Sequence, residues 1–156
     1  MFNPTDIARL TSAESLFDYN FYEFEYACKY LLEITGRFPH VFVTRKGPKG
    51  GDGGVDLEIK DTNRKMVGYG QCKQWHTRYK GLIQSIRALA GCMSRDKVAK
   101  GILLVTVKAT QYEQNEAARC GIEIIDSPLL ENMIQQANAV CPFPPVQSHV
   151  TSQTAG

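Results

Sequence analysis

The sequence of 156 residues predicts one α/β domain, in which a mixed β-sheet of about five strands is flanked by helices in the order αβββαβαβα. Two patterns lead to this fold class. Three short extended segments follow one another before residue 74, and their short connections favour an antiparallel meander. Helical and strand patterns then alternate to residue 137, and the later βαβ portion predicts a right-handed parallel crossover.

The first half of the chain begins with an amphipathic helix predicted over residues 21–35. Its apolar positions follow helical spacing and are Phe21, Phe24, Cys28, Leu31 and Leu32. Asp18 or Asn20 is a suitable cap for its start, and Gly36 suits its end. A strand is predicted at 40–45, followed by a glycine-rich loop at 47–54 that lacks the ending of a Walker P-loop.

Two further strands are predicted at 55–60 and 66–73, joined by a polar hairpin connection. Strict alternation in the first of them places one set of side chains on a buried face, namely Val55, Leu57 and Ile59. The opposite face then carries Asp56, Glu58 and Lys60. In the second strand, one face is shared by Val67, Tyr69, Gln71 and Lys73.

The second half has one helix at 80–97, another at 110–121 ending at a glycine, and a last one at 128–137. The continuous apolar run at 101–107 predicts a strand that is buried on both faces, and a short strand follows at 122–126. Ser127 and Pro128 suit the start of the last helix. The Pro-rich and polar end of the chain indicates a flexible tail.

Composition and charge narrow the functional classes. The chain has no apolar stretch long enough to span a membrane and no secretory signal, so a soluble, cytoplasmic protein is expected. Five widely spaced cysteines without a zinc pattern favour free thiols. Net charge is −4 over residues 1–36, +9 over 37–100 and −3 over 101–156. A basic centre suits a polyanion such as nucleic acid, although the same charges could be spread over a solvated surface.

A group of polar side chains suited to catalysis lies where the second and third strands are expected to pair. A hairpin would bring Asp56 close to Gln71 and Lys73, with the backbone carbonyl of Cys72 between the last two. Carboxylate, amide and carbonyl oxygens suit a hard cation such as Mg²⁺, and an ammonium can orient water or stabilise charge on a phosphate. The alternative is an exposed hairpin face on which Asp56 and Lys73 form a surface ion pair. The Cys72 thiol is expected to point into the core.

The sequence resembles the Mrr-like restriction endonucleases, a branch of the PD-(D/E)xK nuclease superfamily. The resemblance is carried by GGDGGVD at 50–56 and GQCKQW at 70–75, which match a Gly-Asp-Gly-Gly-Ile/Val-Asp run, a short hairpin and then Gln-x-Lys. FEYACKYLLEITG at 24–36 is similar to the first helix of the family, and residues 100–134 to its closing strand–helix–strand–helix unit. It implies a restriction-endonuclease-like fold, with an N-terminal extension at 1–20, the nuclease domain at 21–138 and a tail at 139–156.

The resemblance also implies roles for individual residues. Asp56 is the metal-binding carboxylate, Gln71 replaces the usual acid of the superfamily, and Lys73 is the motif lysine. Glu25 in the first helix is an auxiliary acid near the metal, unless it is a surface partner of Lys29. Mg²⁺ is the implied cofactor, held by Asp56, Gln71 and the Cys72 carbonyl, with Mn²⁺ as a substitute.

Contacts to DNA are expected from the glycine-rich loop and from the residues after the motif. The candidates are Lys49, Asp52, Gly53, Gly54, Trp75, Arg78 and Lys80. Cations mixed with aromatic rings suit nucleic acids, but Trp75 and Tyr79 could instead be half-buried covers over the sheet end. His76 is a weaker candidate for a general base.

The expected activity is metal-dependent cleavage of DNA in restriction or defence. Cutting both strands favours a homodimer or tetramer, and sequence specificity would come from a separate recognition domain or subunit. The alternatives are a catalytically silent module that binds DNA or protein, and a nuclease subunit that depends on a partner. A small-molecule α/β enzyme is disfavoured because the chain has neither a dinucleotide fingerprint nor a nucleophile elbow.

Overall fold

A computed structural model describes residues 9–44, 54–77 and 81–140. A short 3₁₀ helix, Glu14–Asp18, precedes helix α1 (Phe21–Ile34) and strands β1 (His40–Val43), β2 (Leu57–Lys60) and β3 (Met66–Lys73). Helix α2 (Ile83–Asp96), strand β4 (Lys100–Val105), helix α3 (Gln111–Arg119), strand β5 (Ile122–Ile125) and helix α4 (Ser127–Val140) follow. The predicted element order is confirmed.

The five strands form one mixed sheet in the order β1-β2-β3-β4-β5. Strands β1, β2 and β3 pair antiparallel, with Leu57 opposite Gly70, whereas β3, β4 and β5 pair parallel. The predicted meander and the predicted parallel crossover between β4 and β5 are therefore both present, and β3 and β4 form a second parallel pair. β3 lies at the centre of the sheet and joins the antiparallel part to the parallel part.

The sheet is covered on both faces. Helices α1 and α4 bury their apolar sides against one face, where Leu57, Ile59 and Cys72 contribute from the strands. Helices α2 and α3 cover the other face. Strand β4 supplies both cores: Ile102 and Leu104 point to the first, and Leu103 and Val105 to the second. The strand predicted to be buried on both faces is confirmed.

Helix boundaries follow local capping. Asn20 caps α1 in a reciprocal capping box with Glu23, which decides between the two predicted caps. Phe21 was expected on the buried stripe but is exposed, because only the part of the stripe from Phe24 onward is covered. The spacing of apolar residues identifies the face of a helix, but it does not reveal how far along the helix that face is covered.

The alternation predicted for residues 55–60 is broken at its start. Leu57 and Ile59 share the core under α1, but Val55 lies in the opposite core under α2. The Asp56 N–H donates to the Gly70 carbonyl (2.8 Å), whereas its own carbonyl accepts from Thr44 N (2.9 Å). A regular strand residue directs both groups to the same neighbour. The backbone at Asp56 is therefore irregular, and the prediction for Val55 was wrong.

The segment before α1 packs on the domain. Leu10, Leu16 and Tyr19 are buried in the core under α1.

At the other end, helix α4 continues to Val140, beyond residue 138, at which the nuclease domain was predicted to end. Residues 141–156, predicted to form most of the tail, lie outside the described residues. In the part of the chain that the structure describes, no helix has the length and apolar character to cross a membrane.

Candidate active site

Asp56 lies directly before β2 and is held against the end of β3. The residue is only 8% exposed, and its Oδ2 accepts a hydrogen bond from the Cys72 N–H (2.8 Å). The bond fixes the carboxylate against the backbone between Gln71 and Lys73. A buried Asp56 does not fit the alternative of an exposed hairpin face with a surface ion pair. The expected proximity of Asp56 to the Gln-x-Lys segment is present.

Gln71 is also buried, at 4% exposure. Its Oε1 has no hydrogen-bond partner among the residues that the structure describes. A buried amide oxygen without a partner costs free energy, about 1–3 kcal/mol, and such groups are rare in folded proteins. Gln71 therefore presents an unused oxygen acceptor in the neighbourhood of the Asp56 carboxylate.

Gly54, the one residue of the glycine-rich segment that the structure describes, lies beside this place. Its φ of +142° lies in a region that side chains with a Cβ rarely adopt. A Cβ on Gly54 would stand 3.3 Å from Gln71 Nε2 and 3.4 Å from Ala88 Cβ. The glycine thus allows the backbone to pass beside the Gln71 amide. In the described part of the chain, the groups that lie close to Gly54 belong to Gln71 and Ala88 of the same domain.

Cys72 and Lys73 face different surroundings. The Cys72 thiol is fully buried under α1, as predicted, and burial together with the neighbouring Cys28 thiol raises its pKa well above the usual range. A neutral thiol in the core is a poor nucleophile. Lys73 is the last residue of β3 and half-buried, and its ammonium forms no ion pair within the described ranges.

The direction of the Cys72 carbonyl follows from strand geometry. The Cys72 N–H points toward Asp56, and the next carbonyl, that of Lys73, accepts from Thr106 N on the opposite side (3.1 Å). Because successive residues of a strand turn their backbone groups to alternate sides, the Cys72 carbonyl points to the Asp56 side. The Cys72 carbonyl and the Asp56 carboxylate therefore lie on the same side of β3.

Glu25 lies on α1 and is 1% exposed. The surface alternative for this residue was wrong, because Lys29 pairs with Glu33 on the helix surface instead. The carboxylates of Asp56 and Glu25 both contribute to the raised pKa of Cys72, after burial and Cys28. Both carboxylates, which belong to different elements, therefore act on the charge of the Cys72 thiol.

The described residues include no cluster of three or more His, Cys, Asp or Glu side chains suited to a metal ion. The donors present at this site are different in kind: a carboxylate, an amide oxygen and a backbone carbonyl. All are oxygens, which is the donor type that Mg²⁺ prefers. The buried Gln71 oxygen, which has no hydrogen-bond partner within the described ranges, is the observation that fits such an ion.

The residues that follow β3 are partly embedded. Trp75 is half-buried and packs against the core under α2, and the His76 ring stacks on Phe17 at 4.4 Å between centroids. Trp75 is thus a cover over the sheet end at least in part. Five of the expected DNA contacts lie outside the described residues, namely Lys49, Asp52, Gly53, Arg78 and Lys80, as does Tyr79.

Four polar residues near the ends of the strands were not identified from the sequence. The Gln74 amide donates to the carbonyls of Leu16 (2.8 Å) and Tyr19 (2.7 Å). The other three, Thr106, Glu113 and Asp126, hold backbone groups of neighbouring segments. Only Glu113 had a local signal, the spacing Thr110-x-x-Glu113 of a capping box.

Comparison with solved structures places this architecture in a known class. The chain is similar to the DNA modification-dependent restriction endonuclease AspBHI, with a TM-score of 0.55 and 17% sequence identity. The alignment covers 89% of this chain and 39% of that chain. At this identity the likeness shows the fold alone. The protein is an α/β domain with the restriction-endonuclease-like fold.

Comparison with family models gives the particular family. The model Mrr_cat, described as a restriction endonuclease, matches residues 18–134. The match covers most of the chain, so the chain belongs to this family of DNA-cleaving nucleases. No curated protein matches the sequence. The resemblance noted in the sequence is confirmed.

Proposed function

We propose that this protein is a metal-dependent endodeoxyribonuclease that hydrolyses DNA phosphodiester bonds in the cytoplasm, as part of restriction-type defence. The observation that carries the proposal is the buried Gln71 oxygen, for which the described part of the chain offers no hydrogen-bond partner; Gln71 belongs to the strand that holds the buried Asp56 carboxylate. The membership of the family supports it, because the family consists of DNA-cleaving nucleases.

Each residue has a proposed task. Asp56, Gln71 and the Cys72 carbonyl would hold Mg²⁺, or Mn²⁺ in its place. When bound, such an ion polarises a phosphoryl oxygen and makes a bound water more acidic. Lys73 places a positive charge at the end of β3, where it can orient the attacking water and stabilise negative charge on the phosphate. Glu25 adds a buried acidic group beneath the same strand.

The neutral Gln71 has a consequence for metal binding. A glutamate at this position would add a second fixed charge, and cation affinity depends on ligand charge. We therefore expect weak binding of Mg²⁺ in the absence of DNA, and stronger binding once a phosphate oxygen completes the donor set.

Specificity and assembly are further parts of the proposal. The chain covers 39% of the length of AspBHI, whose name describes it as dependent on DNA modification. We propose that a separate recognition domain or subunit selects the target, and that two active sites in a homodimer or tetramer cut the two strands. Methylated and unmethylated DNA should therefore be compared directly.

The test is cleavage of supercoiled plasmid with Mg²⁺, Mn²⁺ or EDTA, on methylated and unmethylated DNA. Asp56→Ala and Lys73→Ala should each abolish nicking. Lys65→Ala is the matched control, because Lys65 is an exposed lysine just before the other end of β3. Cleavage by the control but not by the site variants supports the proposal. Salt-sensitive DNA binding without metal-dependent cleavage under any condition would identify a binding module or a subunit lacking its partner.

A further inference from the structure

The segment that follows β3 is held in place by one threonine, Thr106. Thr106 directly follows β4, the parallel neighbour of β3. Its N–H donates to the Lys73 carbonyl (3.1 Å). Its hydroxyl accepts from the Trp75 N–H (2.7 Å) and donates to the Trp75 carbonyl (2.7 Å). The backbone is therefore held on both sides of Gln74, within two residues of the Lys73 side chain.

The opposite side of the same segment is fixed as well. Gln74 lies between the two residues that Thr106 holds, and its amide binds the Leu16 and Tyr19 carbonyls of the segment before α1. The last residue of a strand lacks the full set of backbone hydrogen bonds that fixes the direction of interior side chains. After β3, hydrogen bonds from the side chains of Thr106 and Gln74 fix the backbone instead.

We infer that Thr106 is a positioning residue for Lys73: its hydroxyl fixes the backbone of Trp75, and thereby the direction in which the Lys73 ammonium enters the site. The inference rests on the proposed function, because it assigns Thr106 a part in the chemistry of Lys73. Small displacements of a catalytic group reduce rate strongly, about 100-fold for a misplacement of about 1 Å. Loss of the hydroxyl should therefore affect the chemical step more than DNA binding.

Thr106→Val removes the hydroxyl and keeps the shape, and Thr106→Ser keeps the hydroxyl. In single-turnover cleavage at saturating DNA, the valine variant should be about 10-fold slower or more, with Kd for DNA within about twofold. The serine variant should regain most of the rate. Thr35→Val is the matched control, since the Thr35 hydroxyl also donates to a backbone carbonyl, that of Leu31 (2.6 Å), at the far end of α1.

Equal loss of rate in Thr35→Val and Thr106→Val would overturn the inference, since it would indicate general destabilisation. A Thr106→Val enzyme with the wild-type rate would overturn it too. A rise in Kd without a fall in the single-turnover rate would also overturn it, because Thr106 would then act on binding.

Trp75 provides a readout that is independent of cleavage, because it is the only tryptophan of the chain. Its emission maximum and its quenching by acrylamide should change in Thr106→Val but not in Thr106→Ser. An unchanged signal in the valine variant would overturn the anchoring by Thr106, whatever the cleavage result. If the wild-type protein does not cleave DNA while the tryptophan signal changes, the proposed function and the catalytic part of this inference fail, and the anchor alone is supported.

Discussion

The parallel half of the sheet and the antiparallel hairpin both bury polar side chains, but the two regions use them differently. In the parallel half, Glu113 accepts hydrogen bonds from the N–H groups of Leu82 (2.6 Å) and Thr110 (2.9 Å), and Asp126 accepts from Ala109 (3.0 Å). At the hairpin, Gln71 keeps a buried oxygen for which the described residues provide no donor. Buried carboxylates that join backbone segments stabilise the fold, whereas an unused acceptor costs stability and remains available to a ligand.

The largest expected effect is a loss of cleavage on substitution of Asp56. It distinguishes this carboxylate from Glu113 and Asp126, which hold backbone groups in the parallel half. Asp56→Asn should reduce cleavage by about 100-fold or more, since it removes the charge of the proposed ligand while leaving an oxygen for the Cys72 N–H. Its free energy of unfolding should stay near the wild-type value. Single-turnover cleavage and urea unfolding measure the two quantities on the same protein.

Glu113→Ala is the counterpart in the parallel half. The Leu82 and Thr110 N–H groups lose their acceptor, so we expect a loss of about 1–3 kcal/mol in the free energy of unfolding. Cleavage well below the melting temperature should remain within about threefold of wild type. If Glu113→Ala abolished cleavage in a folded protein, the division between structural and functional carboxylates would be wrong.

Gln71→Met tests the cost of the unused acceptor. The side chain keeps a similar size but loses the oxygen, so stability should be unchanged or higher by up to about 1 kcal/mol. Cleavage should fall about 10-fold or more because a proposed metal donor is lost. A substantial loss of stability would show that the Gln71 amide is a structural group after all.

The sequence could predict those features that depend on local patterns, and it could not predict those that depend on contacts between distant segments. The element order follows from apolar spacing, because alternation and helical periodicity are local properties. The continuous apolar run at 101–107 likewise predicted the strand that is buried on both faces. The broken alternation at Val55 depends on hydrogen bonds of Asp56 to two different segments, which no local pattern encodes. Thr106 and Gln74 act on residues far away in the chain, so their roles appear only in the folded protein.

A smaller effect concerns the segment before α1. Gln74→Leu removes both hydrogen bonds to the Leu16 and Tyr19 carbonyls, and we expect a loss of about 1–2 kcal/mol in the free energy of unfolding. Hydrogen exchange should increase in residues 10–19 more than in α3. Uniform protection would show that the buried side chains of this segment hold it without Gln74.

The smallest effect is a pH dependence in the parallel half, at the end of α2. Hydrogen bonds from the Arg95 guanidinium and the Tyr69 hydroxyl (2.8 Å) hold the pKa of Asp96 at about 2, below the ordinary 3.8. As pH falls, the unfolded chain therefore binds a proton at this position before the folded protein does. The contribution of Asp96 to stability is complete above about pH 4 and is lost as pH falls toward 2. The difference in unfolding free energy between wild type and Asp96→Asn should therefore shrink as pH falls over that range. A difference that does not depend on pH would show that the exposed contact between Arg95 and Asp96 is not maintained in solution.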